Sequence, residues 1–205
     1  MGEYPLLENV MLLKTGIDAC IEKKAFIPAL TLIYSAIDTT GWLDSKAEFS
    51  TRDDFIRWVD KYLLKAKPLK CTALDLYAAR CGVLHTFTSA SQLSSSGKAN
   101  IIFYAWGKAN AEHMQRIMDH KNTSSNHPMV VHIDELYQAW LLGLEQWGKD
   151  LDCDPDRSAR VTAKAAKFFR DVSIETVSDI LSIIWIYKIA QPAAAPGAAF
   201  RYARQ

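Results

Sequence analysis

The sequence predicts a mostly α-helical domain, and three observations support this prediction. Apolar residues recur every three or four positions along most of the first half, which is the period of an amphipathic helix. Several of these runs begin with a pattern typical of a helix start. The chain has 205 residues, of which 49% are hydrophobic, so it can bury one large core.

The first half divides into four predicted helices. The first covers residues 6–26, where apolar residues recur three or four positions apart, at Leu6, Val10, Leu13, Ile17 and Ile21. The second covers residues 27–43, with Pro28 suited to a first turn and Gly41 suited to a helix end.

The third and fourth helices carry start patterns. The third covers residues 50–68, where Thr51 and Asp54 fit a capping box and Pro68 ends the run. The fourth covers residues 71–93, where Thr72 and Asp75 fit the same pattern.

The second half mixes short strands with helices. Residues 100–107 and 128–133 are rich in β-branched and aromatic residues, which predicts a small β hairpin or edge strands. Residues 108–122 predict an exposed helix. A strongly amphipathic helix follows at 134–151, and further helices are predicted at 157–169 and 173–190. The apolar side of the amphipathic helix carries Leu136, Trp140, Leu144 and Trp147.

These elements suggest a division of the chain into three parts. Residues 1–95 are predicted to form a helical bundle core, and residues 96–190 a mixed, mainly helical extension packed on it. Residues 191–205 form a low-complexity tail.

Composition limits the classes of function. The formal net charge is +1, from 24 basic and 23 acidic residues. This balance argues against binding nucleic acid over a broad basic surface but allows a local basic site. The four scattered cysteines are typical of buried thiols in a reducing compartment. The first residues lack the basic segment of a signal peptide, and the late apolar run at 180–190 is too short to span a bilayer. We therefore expect a cytoplasmic protein with no membrane partner.

Two patterns that resemble metal sites have simpler explanations. The acidic run at 150–156 places Pro155 and Val161 where a calcium loop needs glycine and glutamate, so we predict that Asp154 caps a helix. His127 and His132 are expected at strand edges, without further ligands at a telling spacing. His113 and His120 are expected on a solvated helix face. The sequence therefore predicts no metal and no cofactor.

The remaining candidate site is the pair Arg80 and His85, late in the fourth helix. Five residues turn a straight helix by about 140°, which separates the two side chains unless Gly82 loosens the turn. The alternative to a functional site is that Arg80 extends to solvent while His85 caps a helix end through a backbone carbonyl.

The stretch Arg80-Cys-Gly-Val-Leu-His85 resembles the motif of the HEPN superfamily, in which four to six residues separate an arginine from a histidine late in a core helix. Residues 32–43 also look like the second helix of such domains, and the resemblance covers about residues 1–95. It implies a helical bundle, homodimerisation and metal-independent endoribonuclease activity on RNA. A role in defence or toxin–antitoxin systems, with a cognate antitoxin as partner, is also implied.

The sequence departs from the family pattern at two positions. Cys81 follows the arginine, where active members commonly have a polar residue. Phe87 stands where one toxin subgroup has a tyrosine that is modified, so that modification is not available here.

The residue types suit the implied reaction on their own terms. Histidine exchanges protons near neutral pH, and a guanidinium can stabilise the charge that develops on a phosphorane. Two alternatives remain open: a non-catalytic HEPN-like dimer that binds or regulates a partner, and a helical regulator with a small-molecule pocket lined by tryptophans.

Overall fold

The computed structural model describes residues 5–121 and 128–168. This part of the chain is mostly helical, which confirms the predicted fold class. A π-helical turn, Val59–Leu63, joins the third and fourth helices. The helices are α1 (Pro5–Glu22), α2 (Phe26–Asp44), α3 (Arg52–Trp58), α4 (Leu64–Ala66), α5 (Ala73–Thr86), α6 (Gln92–Ser95), α7 (Ala111–Lys121), α8 (Ile133–Asp152) and α9 (Pro155–Phe168).

Both predicted strands form, but they pair in parallel and not as a hairpin. Strand β1 (Ile102–Ala105) lies beside β2 (Met129–His132), and Ile102 is opposite Met129 in the register. A parallel pair needs a crossover connection, and α7 lies between the strands in the chain. The buried Tyr34 of α2 holds β1 against the helices through a 2.6 Å hydrogen bond to the Tyr104 hydroxyl.

The two predicted capping boxes are confirmed. The Thr51 hydroxyl accepts a hydrogen bond from the Asp54 amide at 3.2 Å, and the Thr51 amide donates to the Asp54 carboxylate. The same exchange joins Thr72 and Asp75 at the start of α5. The Asp75 carboxylate is buried and also accepts the Asn100 amide at 2.6 Å, so it fixes the segment before β1 to α5.

The structure corrects the role predicted for Gly41 and the end predicted for the fourth helix. Helix α2 continues past Gly41 to Asp44, and Gly41 allows a close approach because an added Cβ would lie 3.0 Å from the Asp54 carbonyl oxygen. Helix α5 ends at Thr86, short of the predicted residue 93. The position of Gly41 depends on a contact with α3, which local patterns do not contain, whereas α5 ends where Phe87 takes a left-handed backbone conformation.

One hydrophobic core runs through the described residues, which belong to a single compact unit. Helix α8 packs against the π-helical turn, α2 and α9, so the extension expected from residue 96 shares the core of the first half. Trp58, Trp140 and Trp147 fill this core and are at most 3% exposed. Apolar burial on this scale is the main force that holds helices together.

A polar network ties the end of α2 to the last two described helices. The Asp44 carboxylate accepts hydrogen bonds from the Trp147 indole at 2.9 Å and from Arg157 Nε at 2.8 Å. Arg157 also donates to the Tyr62 hydroxyl at 2.6 Å. These groups are largely buried, so each depends on the others for its hydrogen bonds.

Three expectations concern residues outside the described part: the helix at 173–190, the apolar run at 180–190 and the tail at 191–205. Among the helices of residues 5–121 and 128–168, none combines the length and apolarity that a bilayer crossing requires.

Candidate functional site

A groove of about 720 Å³ lies beside the second half of α5. We call it the α5 groove. One wall is the helix itself, and the other is formed by the chain that returns along it. Its lining comprises Arg52, Tyr77, Cys81, Gly82, His85, Thr86, Thr88, Ala90, Ser91, Gln92, Leu93 and Ser95.

His85 lies in this groove with its side chain exposed. Tyr77, Cys81 and His85 follow one another at four-residue intervals, which places them on one stripe of α5. Within the described residues His85 makes no hydrogen bond or ion pair, and it does not cap the end of the helix. Its ring nitrogens are therefore accessible to a ligand.

The end of α5 depends on Gly82, although not as the sequence suggested. The helix is regular through Gly82, so this residue does not loosen the turn. A Cβ there would lie 2.5 Å from the Thr88 carbonyl oxygen and 2.9 Å from that of Ala90. Glycine is thus required so that the returning chain can pack directly on the helix and form the groove wall.

Arg80 is held by Asp38 of α2 and does not extend to solvent. Its Nε donates to Asp38 Oδ2 at 2.9 Å, and its Nη2 donates to the same oxygen. The side chains are only 21% and 16% exposed. Burial alone would lower the pKa of the guanidinium, but the Asp38 carboxylate outweighs this effect and raises that pKa. Arg80 is therefore a charged, oriented group between two helices.

The structure does not bring Arg80 and His85 together within one chain. Because α5 is regular, the two side chains leave the helix about 140° apart. His85 lines the α5 groove and Arg80 does not. An active site that uses both groups therefore cannot be formed by the α5 groove of one chain alone.

Arg52 and Tyr77 also belong to the groove, although the sequence motif does not include them. The guanidinium carbons of Arg52 and Arg80 lie 5.8 Å and 6.0 Å from the centre of the Tyr77 ring. Tyr77 rests edge-on against Phe55 of the core, with ring centres 5.6 Å apart. Burial, together with neighbouring Cys81, raises the pKa of the Tyr77 hydroxyl, so this ring stays neutral beside the two cations.

Arg52 forms no ion pair in the described part of the chain, and it is exposed at the groove. The sequence contained one signal for it. Arg52 is the first residue of α3, where the helix dipole disfavours a positive charge. A cation at that position is a candidate for an anion contact.

The other histidines and the acidic run behave as predicted where they are described. His132 is the last residue of β2 and also caps α8 by accepting the Asp134 amide at 3.2 Å, and His113 and His120 are exposed on α7. Asp154 caps α9 by accepting the Arg157 amide at 3.0 Å. His127 lies outside the described residues.

The α5 groove combines an accessible imidazole with a guanidinium that has no ion pair in the described residues, a combination that can bind an anion and exchange a proton with it. Across residues 5–121 and 128–168, no three His, Cys, Asp or Glu side chains cluster as metal ligands would. No protein-family model matches this sequence, and no curated protein or solved structure matches it.

Proposed function

We propose that this protein is a HEPN-like, metal-independent endoribonuclease that acts as a homodimer. It would cleave RNA by attack of a 2′-hydroxyl on the adjacent phosphate. The observation that carries the proposal is the exposed His85 in the α5 groove, on the same helix as an arginine oriented by Asp38. The resemblance around Arg80 and His85 supplies the reaction class.

His85 is the proposed proton-transfer group. The attacking hydroxyl must lose a proton and the leaving oxygen must gain one. A histidine has an ordinary pKa of about 6.5 and can serve either purpose near neutral pH. The groove allows this because no group in the described part of the chain occupies the ring nitrogens of His85.

Arg80 and Arg52 are the proposed phosphate-stabilising cations. Arg80 donates hydrogen bonds to Asp38 through Nε and Nη2. These bonds occupy two of the five N–H groups of a guanidinium. Those that remain can donate to a phosphate while Asp38 keeps the plane of the guanidinium fixed. Arg52 forms no ion pair in the described residues, so its charge remains available to a phosphate in the groove.

The homodimer follows from the number of histidines that the reaction needs. One described chain offers one histidine in the α5 groove, whereas separate acid and base roles need two proton-transfer groups. A two-fold axis near the end of α5 would supply a second His85 and a second Arg80. The composite site would then contain both motif residues, which a single chain keeps apart.

The test compares His85→Ala and Arg80→Lys with the parent on a mixed RNA pool in excess chelator. We expect at least about 100-fold slower cleavage by His85→Ala and a large loss for Arg80→Lys, which keeps the charge but not the planar fork. The matched control is His113→Ala, an exposed histidine on α7.

Three further readouts complete this test. Parent products should end in a cyclic phosphate, and sedimentation should give about twice the 23.0 kDa chain mass. Thermal melts should show that the variants are folded. Folded His85→Ala that cleaves at the parent rate, or a strictly monomeric parent, would refute the mechanism.

Two observations favour a second candidate, a non-catalytic HEPN-like dimer that binds or regulates a partner. The Asp38 carboxylate neutralises much of the Arg80 charge, and Cys81 replaces the polar residue common in active relatives. In that case the ion pair between Arg80 and Asp38 mainly holds α5 against α2. A dimeric parent that cleaves no RNA would favour this candidate.

A further inference from the structure

The aromatic ring of Tyr77 is shared by two cations. The guanidinium carbons of Arg52 and Arg80 lie 5.8 Å and 6.0 Å from the ring centre, within the range of about 6 Å over which a ring face attracts a cation. The two arginines come from different elements, since Arg52 begins α3 and Arg80 lies in α5. One side chain therefore contacts two positive charges that the chain supplies from separate helices.

The fold fixes the ring of Tyr77 from behind. The ring packs edge-on against Phe55, with ring centres 5.6 Å apart, and Phe55 is fully buried in the core. Tyr77 also lines the α5 groove, so the residue reaches from the core to the candidate site. Burial raises the pKa of its hydroxyl, which keeps the ring uncharged beside the cations.

The two arginines are held in different ways. Asp38 accepts hydrogen bonds from two N–H groups of Arg80. Arg52 makes no ion pair in the described part of the chain and is exposed at the groove, so it would lose rotamer entropy on binding a ligand. A contact with the face of a ring restricts an arginine while using none of its N–H groups. Tyr77 can thus orient Arg52 and leave its charge and its donors available.

We infer that Tyr77 is a positioning residue, whose ring holds the Arg52 guanidinium beside that of Arg80 so that both donate to one phosphate-bearing ligand at the α5 groove. The inference rests on the proposed function in taking RNA as that ligand. Among the described residues that line the groove, none carries a carboxylate. Two cations at one ring repel each other, and a bound anion would remove that repulsion.

The experiment changes the charge on the ring face while keeping the shape of the ring. Tyr77→Phe, Tyr77→Leu and a variant with trifluorinated phenylalanine in place of Tyr77 are compared with the parent. Fluorine withdraws electron density from the ring face and so weakens its attraction for a cation. Affinity is measured by titrating a short, fluorescently labelled RNA of mixed sequence, made uncleavable by 2′-fluoro substitution.

The ring face, and not the hydroxyl, should determine the affinity. Tyr77→Phe should bind the RNA as the parent does. The trifluorinated variant should bind about 2- to 30-fold more weakly than Tyr77→Phe, the equivalent of a cation–π contact of about 0.5–2 kcal/mol. Tyr77→Leu should bind at least as weakly as the trifluorinated variant. If the parent cleaves RNA, kcat/KM should fall in the same order.

Two controls separate positioning from packing. A residue that only packed against Phe55 would respond to the changed shape in Tyr77→Leu but not to fluorination. The same trifluorinated residue in place of Phe103, an exposed residue of β1, should leave the affinity unchanged. The effect of fluorination at Tyr77 should also shrink in an Arg52→Ala background, because one of the two contacts is then absent. Thermal melts should show that each variant is folded.

Each outcome separates the inference from the proposed function. Equal affinity of Tyr77→Phe and the trifluorinated variant would overturn the inference even if His85→Ala abolishes cleavage, and so would a parent that does not bind the RNA. A loss in Tyr77→Phe as large as that in Tyr77→Leu would assign the effect to the hydroxyl and also overturn it. Weaker binding by the folded trifluorinated variant, with a parent that never cleaves RNA, would uphold the inference and refute the ribonuclease.

Discussion

Replacing Gly82 with alanine tests how the wall of the α5 groove is built. The new Cβ would lie 2.5 Å from the Thr88 carbonyl oxygen and 2.9 Å from that of Ala90. Both oxygens belong to the backbone, so no side chain can rotate away to make room. Either α5 or the returning chain must move. Gly148, in α8, is the matched control because a Cβ there meets nothing within 4 Å.

Two effects of opposite sign determine the expected magnitude. Glycine to alanine inside a helix stabilises a protein by about 1 kcal/mol through helix propensity. Overpacking costs about 1–3 kcal/mol, and two backbone contacts this short place Gly82→Ala at the upper end of that range. We expect a net loss of about 1–2 kcal/mol for Gly82→Ala and a gain of about 0.5–1 kcal/mol for Gly148→Ala.

The assay is urea unfolding of the parent and both variants, followed by circular dichroism, with the slope and the midpoint fitted together. The expected result is a lower midpoint for Gly82→Ala and a higher one for Gly148→Ala. If both variants gain stability equally, then the returning chain does not pack on α5 as described. The α5 groove would then lose its structural basis.

Two further predictions concern titrating groups. Although burial opposes it, hydrogen bonds from Thr51 and Arg57 hold the pKa of Asp54 below its ordinary value. This carboxylate therefore stabilises the fold above the unfolded pKa of about 3.9, and the stabilisation is lost as the pH falls through the lower folded value. Asp54→Asn should consequently lose less stability than the parent between about pH 5 and pH 2 in urea titrations, and identical acid dependence would contradict this reading. Burial raises the pKa of the Cys71 thiol to about 12. At pH 8, iodoacetamide should therefore modify the exposed Cys153 well before Cys71. Mass spectrometry of the labelled peptides checks this order, and equal rates of modification in the native protein would refute it.

Local patterns in the sequence determined the helices and strands. The capping boxes at Thr51 and Thr72 and the cap at Asp154 were predicted correctly because each depends on residues only three positions apart. The strands were also predicted correctly, although their pairing was not. The residue composition of a segment indicates that it forms a strand, whereas the direction in which it pairs depends on the path of the chain through α7.

Part of the candidate site was visible in the sequence as well. The motif indicated Arg80 and His85 as candidates. The four-residue spacing of Tyr77, Cys81 and His85 was enough to place those three residues on one stripe of the helix. The cation at Arg52 carried only a weak signal, its unfavourable position at a helix start. The sequence could not show that Arg52 and Arg80 both face the ring of Tyr77.

The tertiary structure alone decided which groups face each other. Asp38 precedes Arg80 by 42 residues, and only the packing of α2 on α5 brings them together. Gly41 and Gly82 were interpreted by their local effects on a helix, yet each is required by a close backbone approach: Asp54 of α3 approaches Gly41, and Thr88 and Ala90, just beyond α5, approach Gly82. Propensity and periodicity act over a few residues, so they determine the elements. Contacts between distant residues, such as that of Arg52 with the Tyr77 ring, depend on how those elements pack.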